Sequence, residues 1–388
     1  MSTPLVSGFG DFVLTTGPSI YTSSEKFVNG LTKNTYLLKR FTKGREGDAD
    51  TFQDGDQISD MIFLDANSTF QYVNPDEEAE WVNPQVLSEW KVYWRFAQDH
   101  MAWVDQELVL NGGQDGKVRY KNLKRAKEMR MWTSMLNGMD SGLWTAPNKS
   151  TMEATSGKVA YSIPTFINAQ TNTLFNTVTT AAPGGAWTVV QNIDPVTKTR
   201  WQNQVGTYGA SGFTVTSGDV VEAFDSMFYS VRFESPGTKD EYFEDPRMYR
   251  QFIACSKSGI NKYKARLRLS NDLLVTPSKQ DPAYMRPAYA GIDLVYVAEL
   301  DTAELYSKAG ATTTLGTESA ADLTGPRYYW INANYLRPFF HSEYYFKPIR
   351  EIQPEKQVNS HIVPVQCWWN LVCSSRRHQG IVSPSADN

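Results

Sequence analysis

The sequence predicts an α+β fold, and three observations carry that expectation. A run after Asn83-Pro84 repeats apolar residues at helical spacing, the middle of the chain breaks into short β-like runs between prolines and glycines, and compact apolar runs return towards the end. Helical and strand patterns do not alternate regularly and no repeat of fixed period occurs, so a regular βαβ sheet is not expected.

Residues 1–30, rich in Gly, Ser and Thr, read as an extended arm that a neighbouring surface orders. Residues 31–80 read as a long hairpin, with strands at Tyr36–Leu38, Ile58–Leu64 and Phe70–Val73 and a polar tip, Thr42–Asp56, that turns on Gly44, Gly47 and Gly55. The charges there are segregated: Lys39, Arg40, Lys43 and Arg45 come first, then Glu46, Asp48, Asp50, Asp54, Asp56 and Asp60. A loop with so little apolar content has no core of its own, so it either docks on another surface or stays in solvent.

Asn83 and Pro84 supply the cap and first position of a helix predicted over 84–110. Leu87, Trp90, Trp94, Ala97, Met101, Val104 and Leu108 recur along it at spacings of three and four, and Gly112-Gly113 ends it. At ~1.5 Å per residue it would be about 40 Å long. Val86, Tyr93, Phe96 and Trp103 widen its apolar face, which implies cover on more than one side. A second helix is predicted from Val118 to Asn137, with Leu123, Met131, Trp132, Met135 and Leu136 facing inward. Beyond it, Val159–Ile163, Thr188–Ile193 and Phe213–Thr216 read as short strands. Ser217 or Asp219 caps a helix carrying Val220, Phe224, Met227 and Val231, Phe252–Cys255 reads as a buried strand, and Ile260–Leu274 as a helix. Leu294–Val297, Tyr328–Ile331, Ile362–Gln366 and Trp369–Cys373 supply late strands.

The length of 388 residues suits roughly two to three domains or one elongated, lobed subunit. A hydrophobic fraction of 41% and an aromatic fraction of 13% provide for a packed core and argue against wholesale disorder. The net charge of -4 argues against a surface that grips nucleic acid throughout, while leaving room for a local basic patch. Cys255, Cys367 and Cys373 are too few, and odd in number, for a disulfide framework. Residues 1–10 lack the basic and apolar regions of a secretion signal, no stretch approaches the length of a membrane span, and the sequons at Asn67 and Asn148 read as chance matches.

Tests for chemistry are negative. The Gly-Lys pairs at Gly116 and Gly157 are followed by Val and lack the upstream glycine of a phosphate-binding loop, and Gly206, Gly209 and Gly212 do not join a buried strand to a helix. Asp48, Asp50, Asp54 and Asp56 miss the calcium-loop register, with Phe52 in a ligand position and Ser59 where the bidentate Glu belongs. A solvated acidic loop is the favoured reading there, and a looser oxygen cage stays open. His100, His341, His361 and His378 are scattered, and His100 falls inside the long predicted helix as a packing residue. Cys367 and Cys373 flank Trp368-Trp369 and read as buried rather than reactive. Glycoside hydrolysis would need two carboxylates across an aromatic-lined cleft, and the sequence pairs none. No catalytic residue, cofactor or metal is assigned. The basic run Lys117, Arg119, Lys121, Lys124, Arg125, Lys127 and Arg130, set against Glu128 alone, keeps three readings open. It can be a solvated helix face, a nucleic-acid contact, or a protein contact for Asp76, Glu77, Glu78 and Glu80 in cis or on a neighbour.

Ile193-Asp-Pro195 followed by Trp201-Gln-Asn203-Gln-Val205 is similar to a mid-chain Ile-Asp … Trp-Arg-Asn segment of the major capsid proteins of tailed bacteriophages, with Gln202 in place of the usual Arg. Asn370-Leu-Val-Cys-Ser-Ser-Arg-Arg-His-Gln-Gly380 resembles a C-terminal Asn-Leu-Val-Cys-Ser-Asn-Arg-Arg-Arg-Gln-Gly pattern of the same family, departing at Ser375 and His378. The order of arm, charged loop, long helix, mixed lobe and closing strands resembles the Hong Kong ninety-seven type fold. That resemblance implies an N-terminal arm at 1–30, an extended E-loop at 31–80, a P-domain with spine helix and β segments at 81–215, an A-domain at 216–340, and closing P-domain strands with a tail at 341–388. It further implies a non-enzymatic shell subunit without cofactor, self-assembling as hexamers and pentamers of an icosahedral head around double-stranded DNA. Portal, scaffold or decoration proteins would be further partners, no membrane would be involved, and the virion would be assembled in the host cytoplasm. Contacts between subunits are then expected at Lys39, Arg40, Lys43, Arg45, Glu46, Asp48, Asp50, Asp54 and Asp56. Some family members cross-link a loop Lys to an Asn of a neighbour, which makes Lys39 and Lys43 candidates by position, and that chemistry is not predicted here. The alternatives are a tail or sheath protein, an encapsulin-like container and a carbohydrate-active enzyme.

Overall fold

The structure, a computed structural model, describes residues 50–52, 55–64, 72, 74, 87–106, 116–145, 147, 149–167, 189–195, 197–209, 218–231, 251–269, 287–302, 326–354 and 359–384. In chain order the elements begin with strands β1 (Asp50–Phe52), β2 (Gln57–Phe63), β3 (Leu87–Tyr93) and β4 (Arg95–Val104), then helices α1 (Gly116–Gly142), α2 (Lys149–Met152) and α3 (Ile163–Phe166). Strand β5 (Gln204–Tyr208), helix α4 (Val220–Val231), strand β6 (Gln251–Cys255), helix α5 (Lys257–Leu269), strands β7 (Ala288–Tyr289) and β8 (Ile292–Tyr296) and helix α6 (Glu299–Thr302) follow. Strands β9 (Tyr328–Asn332), β10 (Leu336–His341), β11 (Lys347–Pro348), β12 (Ser360–Cys373) and β13 (Gly380–Pro384) close the order.

Two sheets and a hairpin organise these elements. β12, 14 residues long, is the axis of a five-stranded sheet. β4 runs antiparallel along one edge of it, from Val104 opposite Ser360 to Arg95 opposite Trp369, while β10 and β11 pair with the other edge. β1 joins β10 in parallel. Val363, Val365, Cys367 and Trp369 enter the core at the period-two spacing of a strand, with Gln366 and Trp368 half-buried on the opposite face. The second sheet has six strands in the order β5-β13-β9-β6-β8-β7. β9 and β13 are buried along their whole length and β6 from Phe252 onward, as central strands covered on both faces must be.

Helix α4 confirms its expected cap. The Asp219 carboxylate accepts hydrogen bonds from the backbone N–H groups of Val221 (2.8 Å) and Glu222 (2.9 Å), and Val220, Phe224, Met227 and Val231 enter the core of the six-stranded sheet. The buried strand at Phe252–Cys255 and the strands near Leu294 and Tyr328 also lie where the sequence places them. The helix expected from Ile260 begins earlier, at Lys257, and is described to Leu269.

The predicted helix over 84–110 is a correction: its described part is mainly β3 and β4. Trp90, Val92 and Trp94 are buried at period two, and along β4 the alternate residues Phe96, Gln98, His100 and Ala102 are exposed. The three-and-four spacing coexisted with a period-two pattern in a stretch dense in Trp, Tyr, Phe and Val, which suit a pleated surface, and the partner strands β2 and β12 decided between them. His100 accordingly stands exposed on a strand. The long helix of the fold is α1, whose 27 residues span about 40 Å at ~1.5 Å each. Glu128, Met131, Met135 and Met139 form its inward stripe, continuing the second predicted helix beyond Asn137, and Leu143 is buried just past its end.

Other short runs changed for local reasons. Val159–Ile163 forms no strand, because Pro164 sits in the first turn of α3, where its missing N–H is no loss. The described part of Thr188–Ile193 is a tight turn in which Val190 and Ile193 exchange both backbone hydrogen bonds (3.0 and 3.1 Å). Gln191 and Asn192 take φ of 54° and 68° there, as a two-residue hairpin turn requires. The two late runs at Ile362 and Trp369 merge into β12. The strands expected at Tyr36–Leu38 and Phe213–Thr216 lie outside the described residues, as does that at Phe70–Val73 apart from Tyr72.

Burial pushes the thiols of Cys255, Cys367 and Cys373 up to about 12 from an ordinary 9.0. A thiol whose folded pKa is raised keeps its proton where the unfolded chain has lost it, so this stabilisation is whole below pH 9 and drains away as pH rises towards 12. Burial lowers Arg376 to about 10, which works in the opposite sense but only above that pH. The unassembled subunit is therefore expected to unfold at lower urea at pH 10 than at pH 8. Cys→Ala variants at these positions should flatten that difference, and an unchanged pH dependence would show that the thiols do not cause it.

Candidate contact surface and the joint behind it

Of the nine residues expected to make contacts, Lys39, Arg40, Lys43, Arg45, Glu46, Asp48 and Asp54 lie outside the described residues. Asp50 opens β1 opposite Phe339 of β10, and Asp56 is exposed just before β2. Gly55 between them takes a φ of +102°, which favours glycine, and its carbonyl accepts from the Trp94 indole N–H at 3.1 Å. The acidic side of the loop is thus rooted twice, by β1 on β10 and by Gly55 on Trp94.

From that root β2 and β3 run antiparallel, with Gln57 opposite Tyr93 and Phe63 opposite Leu87. One face, carrying Ile58, Ile62, Trp90 and Val92, packs into the main core. The other carries Ser59, Met61 and Phe63 against Lys91, Glu89 and Leu87, and there Met61 is 65% and Phe63 75% exposed. This face of the hairpin thus leaves two large apolar side chains open. The sequence reading missed this face. Its signal was the unbroken apolar run Met61–Leu64, where a strand with a single buried face would alternate.

The two segments that carried the family resemblance meet in the structure. Arg376, fully buried, donates through Nε to the Phe166 carbonyl (2.9 Å) and through Nη2 to Asn203 Oδ1 (3.3 Å). Asn370 Oδ1 accepts from the backbone N–H of Tyr161 and Leu371, both at 2.8 Å, while its amide donates to the Tyr93 carbonyl (2.6 Å). The Gln191 amide brackets the backbone of Cys373, donating to its carbonyl (2.7 Å) and accepting from its N–H (3.2 Å). The Gln379 side chain brackets Asn332 in the same way, at 3.0 and 2.9 Å. His378 stacks on Tyr335 with ring centroids 4.1 Å apart. Gly380 lies where α4 presses on β13, and a Cβ there would come within 2.4 Å of Met227 Sδ. The two segments are therefore one joint that ties both sheets, α3 and the root of β3. Among the described residues no cluster of three His, Cys, Asp or Glu side chains is placed to hold a metal, and no helix is long and apolar enough to cross a membrane.

No family model and no curated protein matches the chain. Among solved structures it is similar to a chain of the Cyanophage A-1(L) capsid asymmetric unit, with 11% sequence identity over 94% of this chain and 98% of that one and a TM-score of 0.51. It is also similar to a chain in the capsid of a native GTA particle, with 9% identity over 92% and 93% of the two chains and a TM-score of 0.49.

Proposed function

We propose, for a chain that has the Hong Kong ninety-seven type fold of the tailed-phage major capsid proteins, that it self-assembles into the icosahedral head shell enclosing double-stranded DNA. The observation that carries this reading is the likeness in fold to a Cyanophage A-1(L) capsid chain, which covers 94% of this chain and 98% of that one. Helix α1 serves as the spine, and residues 31–80 as the loop that reaches a neighbour. Segments 81–215 and 341–388 form the P-domain, tied to the A-domain segment 216–340 by β5 and β13, which share its sheet. Function lies in contacts between copies, with Lys39, Arg40, Lys43, Arg45, Glu46, Asp48, Asp50, Asp54 and Asp56 setting register by charge and Met61 and Phe63 adding apolar area. The subunit is structural rather than catalytic and belongs to the virion, where portal, scaffold or decoration proteins would join it.

Electron microscopy of the purified chain tests this directly. Closed shells are expected, and tubes, rings or a lasting monomer would sink the proposal. Shells packed with protein cargo would point instead to an encapsulin-like container. Asp54→Lys combined with Asp56→Lys is expected to cut shell yield about tenfold while leaving the urea midpoint of the unassembled subunit unchanged. Shells at normal yield would show that the loop's charge is irrelevant.

A further inference from the structure

We propose that His341 is an acid-sensitive clasp: with its ring neutral it holds the turn 341–346 shut behind the root of the charged loop, and its protonation opens that turn. The side chain ends β10 and is 6% exposed. Its Nδ1 accepts the backbone N–H of Glu343 at 3.2 Å. An amide N–H can only donate, so whichever ring nitrogen faces it has to be bare, and the bond exists only for the neutral imidazole. Trp94, Trp368 and Tyr344 pack around the ring edge to face, with centroids 5.3, 5.1 and 5.8 Å away. A proton added at that nitrogen sets donor against donor and leaves a buried cation. The charged groups on the surrounding elements are engaged elsewhere or exposed. Glu343 is exposed in the same turn, Arg337 of β10 lies over the Phe339 ring (5.4 Å), and Lys347 of β11 lies over the Tyr344 ring (5.0 Å). Arg95, next to Trp94, donates to the carbonyls of Met152, Ala154 and Thr155, and the neighbours of Trp368 along β12 are uncharged. On β1, Asp50 stands two residues before Phe52, the position paired with His341. His361, whose two ring nitrogens each face a carboxylate, Glu351 and Asp105, shows the arrangement that an imidazolium needs and His341 lacks.

What the clasp holds is set by its neighbours. β1 pairs with β10 up to Phe52 opposite His341, and Trp94, packed on the ring, donates its indole N–H to the Gly55 carbonyl. Both anchors at the root of the loop therefore bear on this one residue. The turn itself is strained. Phe346 takes a φ of 48°, a left-handed conformation that an aromatic residue seldom adopts, and packs there on Trp132 of α1 with centroids 5.1 Å apart. The Tyr344 carbonyl accepts from the Trp368 N–H (3.1 Å), and their rings stack 4.0 Å apart. A turn that stores backbone strain, and is closed in part by one titratable acceptor, opens when that acceptor is lost. The sign follows by linkage. The open turn binds a proton that the closed turn excludes, so the closed form loses stability as pH falls through the range in which a free imidazole charges, about 6.5.

Hydrogen exchange of the unassembled subunit tests the clasp, with protection taken relative to the intrinsic exchange rate at each pH. Between about pH 7.5 and about pH 5, protection of the turn 341–346 and of β1 is expected to fall about tenfold in the wild type, the scale of one lost hydrogen bond, while that of β13 holds. His341→Asn supplies an acceptor that does not titrate. The Asn332 side chain already accepts from the Asn334 N–H (3.1 Å), across the same step of two residues. In that variant protection is expected to be as high at the lower pH as at the higher. A wild type that keeps its protection in acid would overturn the proposal, as would an asparagine variant that loses it as the wild type does. If asparagine leaves the turn open at both pH values, wild-type protein carrying 15N-labelled histidine decides. The ring nitrogen facing Glu343 is expected to be bare at the higher pH and to gain its proton over the interval in which protection is lost. Protection lost while that nitrogen stays bare, or kept after it is protonated, would overturn the clasp.

Discussion

Replacing Arg376 by lysine is expected to destabilise the unassembled subunit by about 3–5 kcal/mol, the usual cost of breaking a buried charged network. The guanidinium is fully buried, and burial lowers its pKa to about 10, so it remains charged at neutral pH. Its desolvation is offset by donors that reach the Phe166 carbonyl and Asn203 Oδ1 in two directions. Lysine keeps the charge but presents it at a point, and cannot reproduce a planar fork spanning two segments. Methionine at the same position removes the charge and its desolvation cost together, so Arg376→Met should cost less than Arg376→Lys. Against a typical total of about 5–15 kcal/mol, the lysine variant should be largely insoluble or unfold at much lower urea. A loss below about 1 kcal/mol would show that the joint does not hold the subunit together.

Asp219→Ala is the second large effect expected. Both oxygens of this buried carboxylate are used: Oδ1 caps α4, and Oδ2 pairs with the Arg266 guanidinium of α5, whose Nε lies at 3.1 Å. Truncation strands a buried guanidinium, at about 3–5 kcal/mol, and removes a helix cap, at about 1 kcal/mol. Asp219→Asn keeps the capping oxygen and loses the charge, so it should fall between wild type and alanine. Hydrogen exchange would show faster opening of α4 and α5 than of β12 in the alanine variant. Uniform loosening across both sheets would argue that the pair is no local tie.

Much of the fold was legible where one pattern acted alone. Val220, Phe224, Met227 and Val231 allow one helix face, and the compact run Phe252–Cys255 allows a buried strand. The stretch from Leu87 to Val104 was misread because Trp and Val satisfied both periods at once, and long-range partners, which leave no local mark, settled it. For the contact surface, the loop's charge split was visible, while the open face at Met61 and Phe63 needed the register with β3 to be seen. Arg376 and Asn203 entered through family resemblance. Nothing in their local sequence says that positions so far apart share a hydrogen bond.

The place of β13 in the six-stranded sheet has a consequence for synthesis. It lies between β5 and β9, so residues 380–384 fill a gap between strands made well before them. At roughly 5–20 residues per second, β5 leaves the ribosome many seconds before the strand it needs. The nascent chain must carry that sheet open until then, with α4 lacking part of the surface it covers. A chain still being translated thus lacks the strand that completes this sheet and the part of its surface on which α4 packs until residues 380–384 are made.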